Sequence, residues 1–387
     1  MDRRPAVNDP RSRRHHHVAV ATTERLRSLD VVRGIALIGV IALNYHAVLN
    51  EQDAFSPIDA TFFSRLFNPI SGVLTTRFAA TFVFVAGIGV TLMSSRLKPA
   101  DIDGVHHLRL TLLRRGSFLL LVGYGLEWMW PGTILFYYGA YFILASVLVN
   151  RSTRIVVATA IVSVVAAAGL NLWRVSERFA DNYTAWLDPA SLDTPRNVAL
   201  RLFVGYTHPV FPWLAFFLTG MVVARRFTGE RMITRRHATV AAILVVGTYL
   251  LRDLIRPSLI TDRAASLRAS AVSLQPFDRG ILYVLSTLGI AILAVWSIER
   301  LVERHPNAKP VDVLSRAGRM SLTLYVAHIL IFKLVVDVLG VVRPTGLDTA
   351  LVLTLAVYVG GLVVAWFVLS RRSHGPVEWL YRMVGGR

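Results

Sequence analysis

Three side chains that can carry charge lie within one apolar stretch, LDVVRGIALIGVIALNYHAVLN, at positions 29–50. Asp30 and Arg33 are three positions apart, so on a helix they share a face and can form an ion pair. His46 follows thirteen residues after Arg33, roughly 20 Å further along a helix axis. Because histidine titrates near neutral pH, His46 is a candidate general base toward a hydroxyl or an amine. The spacing predicts a polar route that has an ion pair at one end and a base at the other.

Simpler interpretations of these three residues remain open. Asp30 can cap a helix, and the Arg33 side chain can extend to the membrane surface. His46 can be an interfacial histidine that bonds Asn44 or Tyr45. A second candidate base is His208, which precedes a pair of prolines that interrupt the start of a helix, and irregular backbone at membrane depth is tolerated where it lines a cavity.

A second group of polar residues could receive a ligand. Arg114, Arg115 and Arg319 lie at predicted cytoplasmic helix ends, where arginine can hold phosphate oxygens in a bidentate fashion. His328 lies nine residues after Arg319, and it shares a helical stripe with Tyr325 and Ser321. That stripe can form the polar wall of a cavity.

The elements that must position these residues are membrane helices. The chain has 387 residues, of which 54% are hydrophobic and 17% are charged, and its mean hydropathy is +0.52. Apolar runs of about 20 residues recur along it, whereas alternating barrel strands do not. The fold class is therefore all-α, a polytopic helical bundle with about ten spans. They are predicted at 31–49, 77–95, 111–130, 133–149, 155–173, 206–224, 238–255, 280–298, 320–341 and 349–370.

Lysine and arginine fix the orientation, because they accumulate beside cytoplasmic loops. With the N-terminus inside, the cytoplasmic segments carry 28 of these residues and the exoplasmic segments carry 12. Both termini are thus predicted to be cytoplasmic. The net charge of +18 faces anionic lipid and does not indicate nucleic acid. Arginine outnumbers lysine 39 to 3, a bias that favours a bacterial inner membrane.

The chain divides into a disordered basic cytoplasmic tail at 1–28, one membrane domain at 29–372 and a cytoplasmic tail at 373–387. It contains no cysteine, which excludes thiolate nucleophiles and cysteine-based metal sites, and we expect no metal. Walker A, HExxH, GxSxG and dinucleotide-binding patterns do not occur. Their absence weakens the case for an ATPase, a metalloprotease or a serine hydrolase.

Five segments, in order, resemble the transmembrane acyltransferases related to heparan-α-glucosaminide N-acetyltransferase and their bacterial relatives. These segments are SLDVVRGIALIGVIALNYHA, RFAATFVFVAGIGVTLM, PGTILFYYGAYFIL, HPVFPWLAFFLTGMVVAR and AGRMSLTLYVAHIL. The resemblance covers nearly the whole chain after residue 28. It implies an acyl-CoA donor that enters from the cytoplasm, an acceptor sugar on the other side, and a catalytic histidine near the exoplasmic end of the first span.

By position, His46 matches the family's histidine, and Asn44 or Tyr45 would stabilise the oxyanion beside it. Asp30, Arg33 and the arginines of the inner mouth, together with His328, would bind acyl-CoA, most simply acetyl-CoA. The implied acceptor is a hydroxyl or an amine of an envelope glycan or glycolipid. The sequence is compatible with a homo-oligomer.

A different class of function also fits these features. Ten spans, buried charges and a proline-broken helix suit a transporter or flippase for a lipid or envelope precursor. Inverted repeats would favour that alternative, and none is evident in the sequence. A non-catalytic partner in envelope assembly is a third possibility.

Overall fold

The protein is described by a computed structural model that covers residues 10–52, 61–95, 97, 101–226, 232–342 and 346–386, with only the backbone at 10–26, 50–52 and 64. Within these residues the chain forms fifteen α-helices and no β-strand. The helices are α1 (Pro10–Gln52), α2 (Phe62–Phe67), α3 (Arg77–Ser94), α4 (Ile102–Glu127), α5 (Ile134–Leu148), α6 (Thr153–Arg178), α7 (Pro195–Phe203), α8 (Val210–Arg225), α9 (Arg235–Ile255), α10 (Arg263–Ala271), α11 (Ile281–Arg304), α12 (Lys309–Arg319), α13 (Ser321–Phe332), α14 (Gly346–Arg371) and α15 (Pro376–Gly385).

Ten of these helices coincide with the ten predicted spans, namely α1, α3, α4, α5, α6, α8, α9, α11, α13 and α14. Seven are long and apolar enough to cross a membrane, when α13 is taken with the π-helix Lys333–Val338 that continues it. α5 and α8 are shorter apolar helices, and α4 has 26 residues. The prediction of an all-α, polytopic membrane protein is confirmed.

The two predicted tails differ from expectation. α1 begins at Pro10, inside the segment 1–28 whose composition predicts disorder, while residues 1–9 lie outside the described residues. An existing helix adds each further residue with one more hydrogen bond, so a span can extend into a polar flank. At the other end, α15 occupies most of the predicted tail 373–387 and packs on α4 and α13.

Polar side chains at helix starts set where several spans begin. The Asp101 carboxylate accepts the Gly104 N–H at 2.7 Å and caps α4, and the Thr234 hydroxyl caps α9 in a reciprocal bond with His237. Such caps satisfy amide groups that have no partner within the helix. They place the helix ends at the loops that hydropathy predicts.

The bundle is arranged around α1, which packs against α3, α11, α12, α13 and α14. α6, α9 and α14 lie further out and expose apolar side chains such as Val162, Leu254 and Val363. In a membrane protein these exposed faces meet lipid. The buried centre of the bundle is therefore the region that can hold a polar site.

One crossing in this centre depends on two glycines. A Cβ atom at Gly220 of α8 would lie 2.0 Å from the Phe84 carbonyl oxygen of α3, and a Cβ at Gly87 would lie 1.9 Å from the Phe217 carbonyl oxygen. Small residues let membrane helices approach this closely. Neither backbone can yield locally, so a larger side chain must separate the two helices.

We predict that Gly220→Ala lowers the free energy of unfolding by about 1–3 kcal/mol, the usual penalty for overpacking. Chemical unfolding in detergent would measure this change. Gly169→Ala on α6 is the matched control, because a Cβ atom there meets nothing within 4 Å. Equal stability of both variants would contradict the close crossing.

Candidate active site

A cavity of about 700 Å³ opens between α1, α3, α4, α5, α12, α13 and α15. It runs from the helix ends predicted to be cytoplasmic to the start of α5. Along α1 it extends from Leu29 to Val40, roughly 16 Å at the helical rise. The cavity therefore penetrates the bundle for about half of a bilayer's hydrocarbon thickness.

The mouth of the cavity is cationic. Arg115 of α4, Arg319 of α12 and Arg382 of α15 line it from three different helices. His374, in the loop before α15, also lines the mouth, and its pKa is lowered by partial desolvation and by the nearby charges of Arg382 and Arg319. The mouth owes its positive charge to arginine and suits a ligand that carries several negative charges.

The ion pair predicted from the sequence lies inside this cavity. Arg33 donates to the Asp30 carboxylate at 2.8 Å, and both side chains line the wall. Deeper in, the hydroxyl of Tyr138 is buried and has no hydrogen-bond partner among the described residues; the same holds for Nε of Arg115 at the mouth. Buried polar groups without partners are uncommon, and both of these belong to residues that line the cavity.

α15 is held at the mouth by a carboxylate. Glu378 accepts the N–H groups of Leu322 and Thr323, at 2.7 and 2.9 Å, and also the Thr323 hydroxyl. The Thr323 oxygen in turn accepts the Val377 N–H at 3.1 Å. Glu378 thus supplies partners to the free amides at the start of α13 while it fixes the start of α15. This contact places the side chains of α15 over the cavity.

As a result, two side chains of α15, those of Tyr381 and Arg382, line the cavity. Tyr381 lines the cavity, and the Arg115 guanidinium lies over its ring at 5.0 Å. Arg382, one position later, adds a charge to the mouth. Sequence analysis missed both residues because the segment was predicted to be a tail. The alternation of apolar and polar residues in PVEWLYRMVG was the available signal for an amphipathic helix.

The inner end of the cavity, which is the end farthest from the cationic mouth, is formed by Tyr325 and the start of α5. The Tyr325 hydroxyl lies 3.1 Å from the Thr133 hydroxyl, and it accepts the Ile134 N–H at 3.1 Å. Ser321 and Tyr325 both line the cavity, as the predicted polar stripe requires. His328, the third member of that stripe, is fully buried one turn further along α13.

Asn44 of α1 lies close to this end of the cavity, where it bonds His328. Its amide nitrogen lies 3.3 Å from Nε2 of His328, and the other ring nitrogen of His328 bonds the Tyr325 carbonyl. Because a carbonyl oxygen can only accept, Nδ1 of His328 carries the proton in the neutral ring, and Nε2 accepts from Asn44. Tyr45 is also fully buried, and it donates to the His328 carbonyl at 2.8 Å.

His46 points elsewhere. Its Nδ1 atom lies 2.8 Å from the Phe67 carbonyl oxygen at the end of α2, and the side chain does not line the cavity. Residues two apart on a helix are about 200° apart around its axis, so Asn44 and His46 face different directions. The Phe67 bond fixes the proton on Nδ1 of the neutral ring, and no described residue bonds Nε2.

His208 lies beyond the inner end. Its Nδ1 atom is 2.8 Å from the Thr207 hydroxyl, which donates to the Gly132 carbonyl at 3.1 Å. The turn before α5 is therefore bonded on two sides. Gly132 accepts from Thr207, and Thr133 bonds Tyr325. His208 is near the predicted site but does not line the cavity.

A buried ion pair fixes the turn before α5. Both oxygens of Glu127 lie 3.0 Å from the Gly132 nitrogen, and Arg201 of α7 lies 3.4 Å from the same carboxylate. In the sequence, Glu127 is a charge within the predicted span 111–130. Its partner could not be found there, because 74 residues separate Glu127 from Arg201.

The structure brings some of the predicted donor-binding residues together and not others. Those that line one cavity are Asp30, Arg33, Arg115 and Arg319. Arg114 is exposed and does not line it, because adjacent residues of α4 point about 100° apart. His328 supports Tyr325 from behind and does not face the cavity.

Comparison with known proteins places the chain in a family. Residues 25–252 match the family described as heparan-alpha-glucosaminide N-acetyltransferase, catalytic, and residues 229–385 match a family of unknown function, DUF418. The chain is also similar to the "uncharacterized 39.9 kDa protein in amylase 3'region" of Bacillus acidopullulyticus. The two are 22% identical over 376 residues, which is 94% of this chain and 95% of that protein. Since the first match spans more than half of the chain, the protein belongs to the membrane acetyltransferase-like family of the heparan-alpha-glucosaminide N-acetyltransferase catalytic domain.

Proposed function

We propose that the protein moves an acyl group, most simply acetyl, from cytoplasmic acyl-CoA to a hydroxyl or amine of an exoplasmic envelope sugar or glycolipid. The bacterial inner membrane is its proposed location. The observation that best supports this proposal is the cavity, which combines a cationic mouth with a long, mostly apolar interior. The family supports acetyl transfer as the class of reaction.

The shape and polarity of the cavity suit acyl-CoA. Arg115, Arg319 and Arg382 would hold the phosphates, because arginine pairs with phosphate through parallel hydrogen bonds. The pantetheine arm would lie against Leu37, Val40 and the other apolar lining, and its amides could use the free Tyr138 hydroxyl. An extended arm would bring the thioester to Tyr325 and the start of α5.

The chemistry proposed at this end is direct transfer. The acceptor oxygen or nitrogen attacks the thioester carbonyl carbon, a new C–O or C–N bond forms, and the C–S bond breaks. The acceptor gives its proton to a base, and the departing thiolate takes up a proton from solvent. Tyr325, which lines the inner end, is the donor proposed to stabilise the oxyanion, and Asn44 is proposed to assist it from beside His328.

His46 is the proposed base. Of the three candidate histidines, His328 bonds neighbours through both ring nitrogens, whereas the bonds shown for His208 and His46 are made through Nδ1. His46 is preferred to His208 because its position matches that of the family's histidine. His46 has its Nδ1 proton fixed by Phe67 and, within the described residues, an uncommitted Nε2. That tautomer is the one that a general base needs. An acceptor would have to reach Nε2 from the exoplasmic side, because His46 does not line the cavity.

Release of free CoA thiol from acetyl-CoA, with a hexosamine as trial acceptor, tests the proposal in proteoliposomes. A thiol reagent reads only CoA here, since the chain has no cysteine. We expect protein-dependent thiol release together with acetylated hexosamine. If millimolar acetyl-CoA neither binds nor reacts, the transporter alternative becomes the better explanation.

We predict that Arg115→Gln weakens acetyl-CoA binding by about tenfold, because one charged contact to phosphate is lost. Calorimetric titration in detergent would measure the dissociation constant. Arg114→Gln is the matched control, since Arg114 is its exposed neighbour outside the cavity. Equal loss of affinity in both variants would mean that general charge, and not the cavity mouth, attracts the donor.

We predict that Glu378→Ala releases α15 and raises the amide exchange rates of residues 376–385 by about tenfold or more, because hydrogen bonds to a charged group contribute about 1.5–3 kcal/mol. Hydrogen exchange read by mass spectrometry would detect this change. The donor affinity should fall with it. Asp103→Ala, at an exposed acid near the start of α4, is the control and should leave α15 protected.

We predict that His46→Ala lowers kcat by about 10²- to 10⁴-fold, the contribution typical of a general base. Asn44→Ala and Tyr325→Phe should also lower kcat, with a smaller change in donor affinity. Steady-state thiol release, together with calorimetric binding of acetyl-CoA, separates these effects. Near-normal turnover by His46→Ala alongside a large loss in the other two variants would remove His46 from the reaction.

A further inference from the structure

A second cavity, of about 350 Å³, lies at the opposite side of the bundle from the mouth described above. It is formed by the predicted exoplasmic ends of α6 and α9 and by α10 with the segment that follows it. None of its lining residues lines the first cavity. Its ligand is therefore independent of the proposed acyl donor.

Arginine gives this cavity a positive charge. Arg178, Arg252 and Arg256 all line it, and Arg252 is neutralised by Asp253 at 2.6 Å. The side chains of Arg178 and Arg256 form no hydrogen bond or ion pair with any described residue. The single acid in the lining is Asp278, which leaves one excess positive charge. One excess charge matches a monoanion such as a phosphodiester.

Hydroxyl groups add neutral donors. The Ser270 oxygen accepts a hydrogen bond from the Asn171 amide at 2.7 Å, and the Ser273 oxygen accepts the Gln275 N–H at 3.1 Å. Each serine has one proton to donate, and these bonds do not use it. Both serines line the cavity, so their protons are available to acceptor oxygens of a ligand.

The same cavity has an apolar side. Phe179, Ile260 and Val272 contribute to its lining. α9 contains Arg252 and ends directly before Arg256. It is a candidate membrane span, and only 17% of its most apolar stretch is buried in the protein. Leu250 and Leu254 on its outer turns are 65% and 83% exposed. A ligand in this cavity can thus hold its charged group against arginine while its chains lie along α9.

The positive-inside rule makes this concentration of arginine unusual. Of the 12 lysines and arginines in predicted exoplasmic segments, nine lie in 174–205 and 252–279. Positive residues beside short translocated loops oppose the predicted orientation. Snorkelling explains a single arginine at a helix end. It does not explain why two unpaired arginines from different helices converge on one cavity with serine hydroxyls.

From these observations we propose that the cavity between α6, α9 and α10 binds the phosphodiester headgroup of a lipid in the outer leaflet. Arg178 and Arg256 hold the phosphate, the serine hydroxyls donate to its oxygens, and the acyl chains lie on the exposed face of α9. The site stands whether or not the protein transfers acyl groups.

Native mass spectrometry of the full chain in a neutral detergent can test this site. Three probes are titrated separately: dioleoylphosphatidylglycerol, dioleoylglycerol without phosphate, and glycerol 3-phosphate without chains. We expect wild-type protein to retain phosphatidylglycerol, and the double variant R178Q/R256Q to bind it about tenfold more weakly. R196Q/R268Q is the matched control, because it removes two exposed arginines that do not line the cavity.

Each probe has an outcome that would overturn the proposal. Equal retention of phosphatidylglycerol by wild type and R178Q/R256Q would mean that the arginines hold no headgroup. Equal affinity for dioleoylglycerol would make the site an apolar groove, and equal affinity for glycerol 3-phosphate would make it a site for a soluble phosphate. Both arginines are exposed and unpaired, so the double variant should fold, and R178K/R256K should restore binding if the charge is what matters.

Discussion

The cost of a charge within hydrocarbon governs the arrangement of this bundle. Arg33 lies several residues inside the first span, and such a group must reach water or a partner. Asp30 supplies one partner, but the pair also needs space that lipid does not fill. Five helices pack around α1 but leave the face that carries Asp30 and Arg33 uncovered, and the space at this face is the cavity. The donor proposal, the positions of the arginines and the placement of α15 all depend on that opening.

The backbone sets one wall of the opening. A Cβ atom at Gly318 would lie 1.8 Å from the Asp30 carbonyl oxygen, and one at Gly34 would lie 2.4 Å from the Leu314 carbonyl oxygen. α12 and α1 thus touch through their main chains beside the ion pair. Tyr358 of α14 adds a hydrogen bond to the Gly34 carbonyl at 2.6 Å. These contacts give the ion pair a rigid support, so its position does not depend on a mobile loop.

Hydropathy was sufficient to predict the architecture, because membrane length and backbone hydrogen bonding leave few options for an apolar run. It also identified Asp30 and Arg33, which are adjacent along one helix face. Helical phase was harder to predict: Arg114 and Arg115 look equivalent in sequence, yet Arg115 alone lines the cavity. Asn44 and His46 are two positions apart, yet they bond different elements, His328 of α13 and Phe67 of α2, and neither lines the cavity. The Glu127–Arg201 pair and the contact of Glu378 with α13 join distant segments, and one sequence contains no local signal for them.

The turn before α5 separates the end of the donor cavity from the exoplasmic residues. Thr133 bonds Tyr325 on one side, and Gly132 bonds Thr207 on the other. This turn is therefore the boundary that an acyl group would cross in the proposed transfer.

The position of α15 in the chain bears on biogenesis. Because this helix follows the last span and completes the mouth of the cavity, the binding surface forms only after every span has entered the bilayer. Partly inserted chains therefore lack the α15 side of the cavity mouth, so the complete mouth and the complete membrane fold are acquired together.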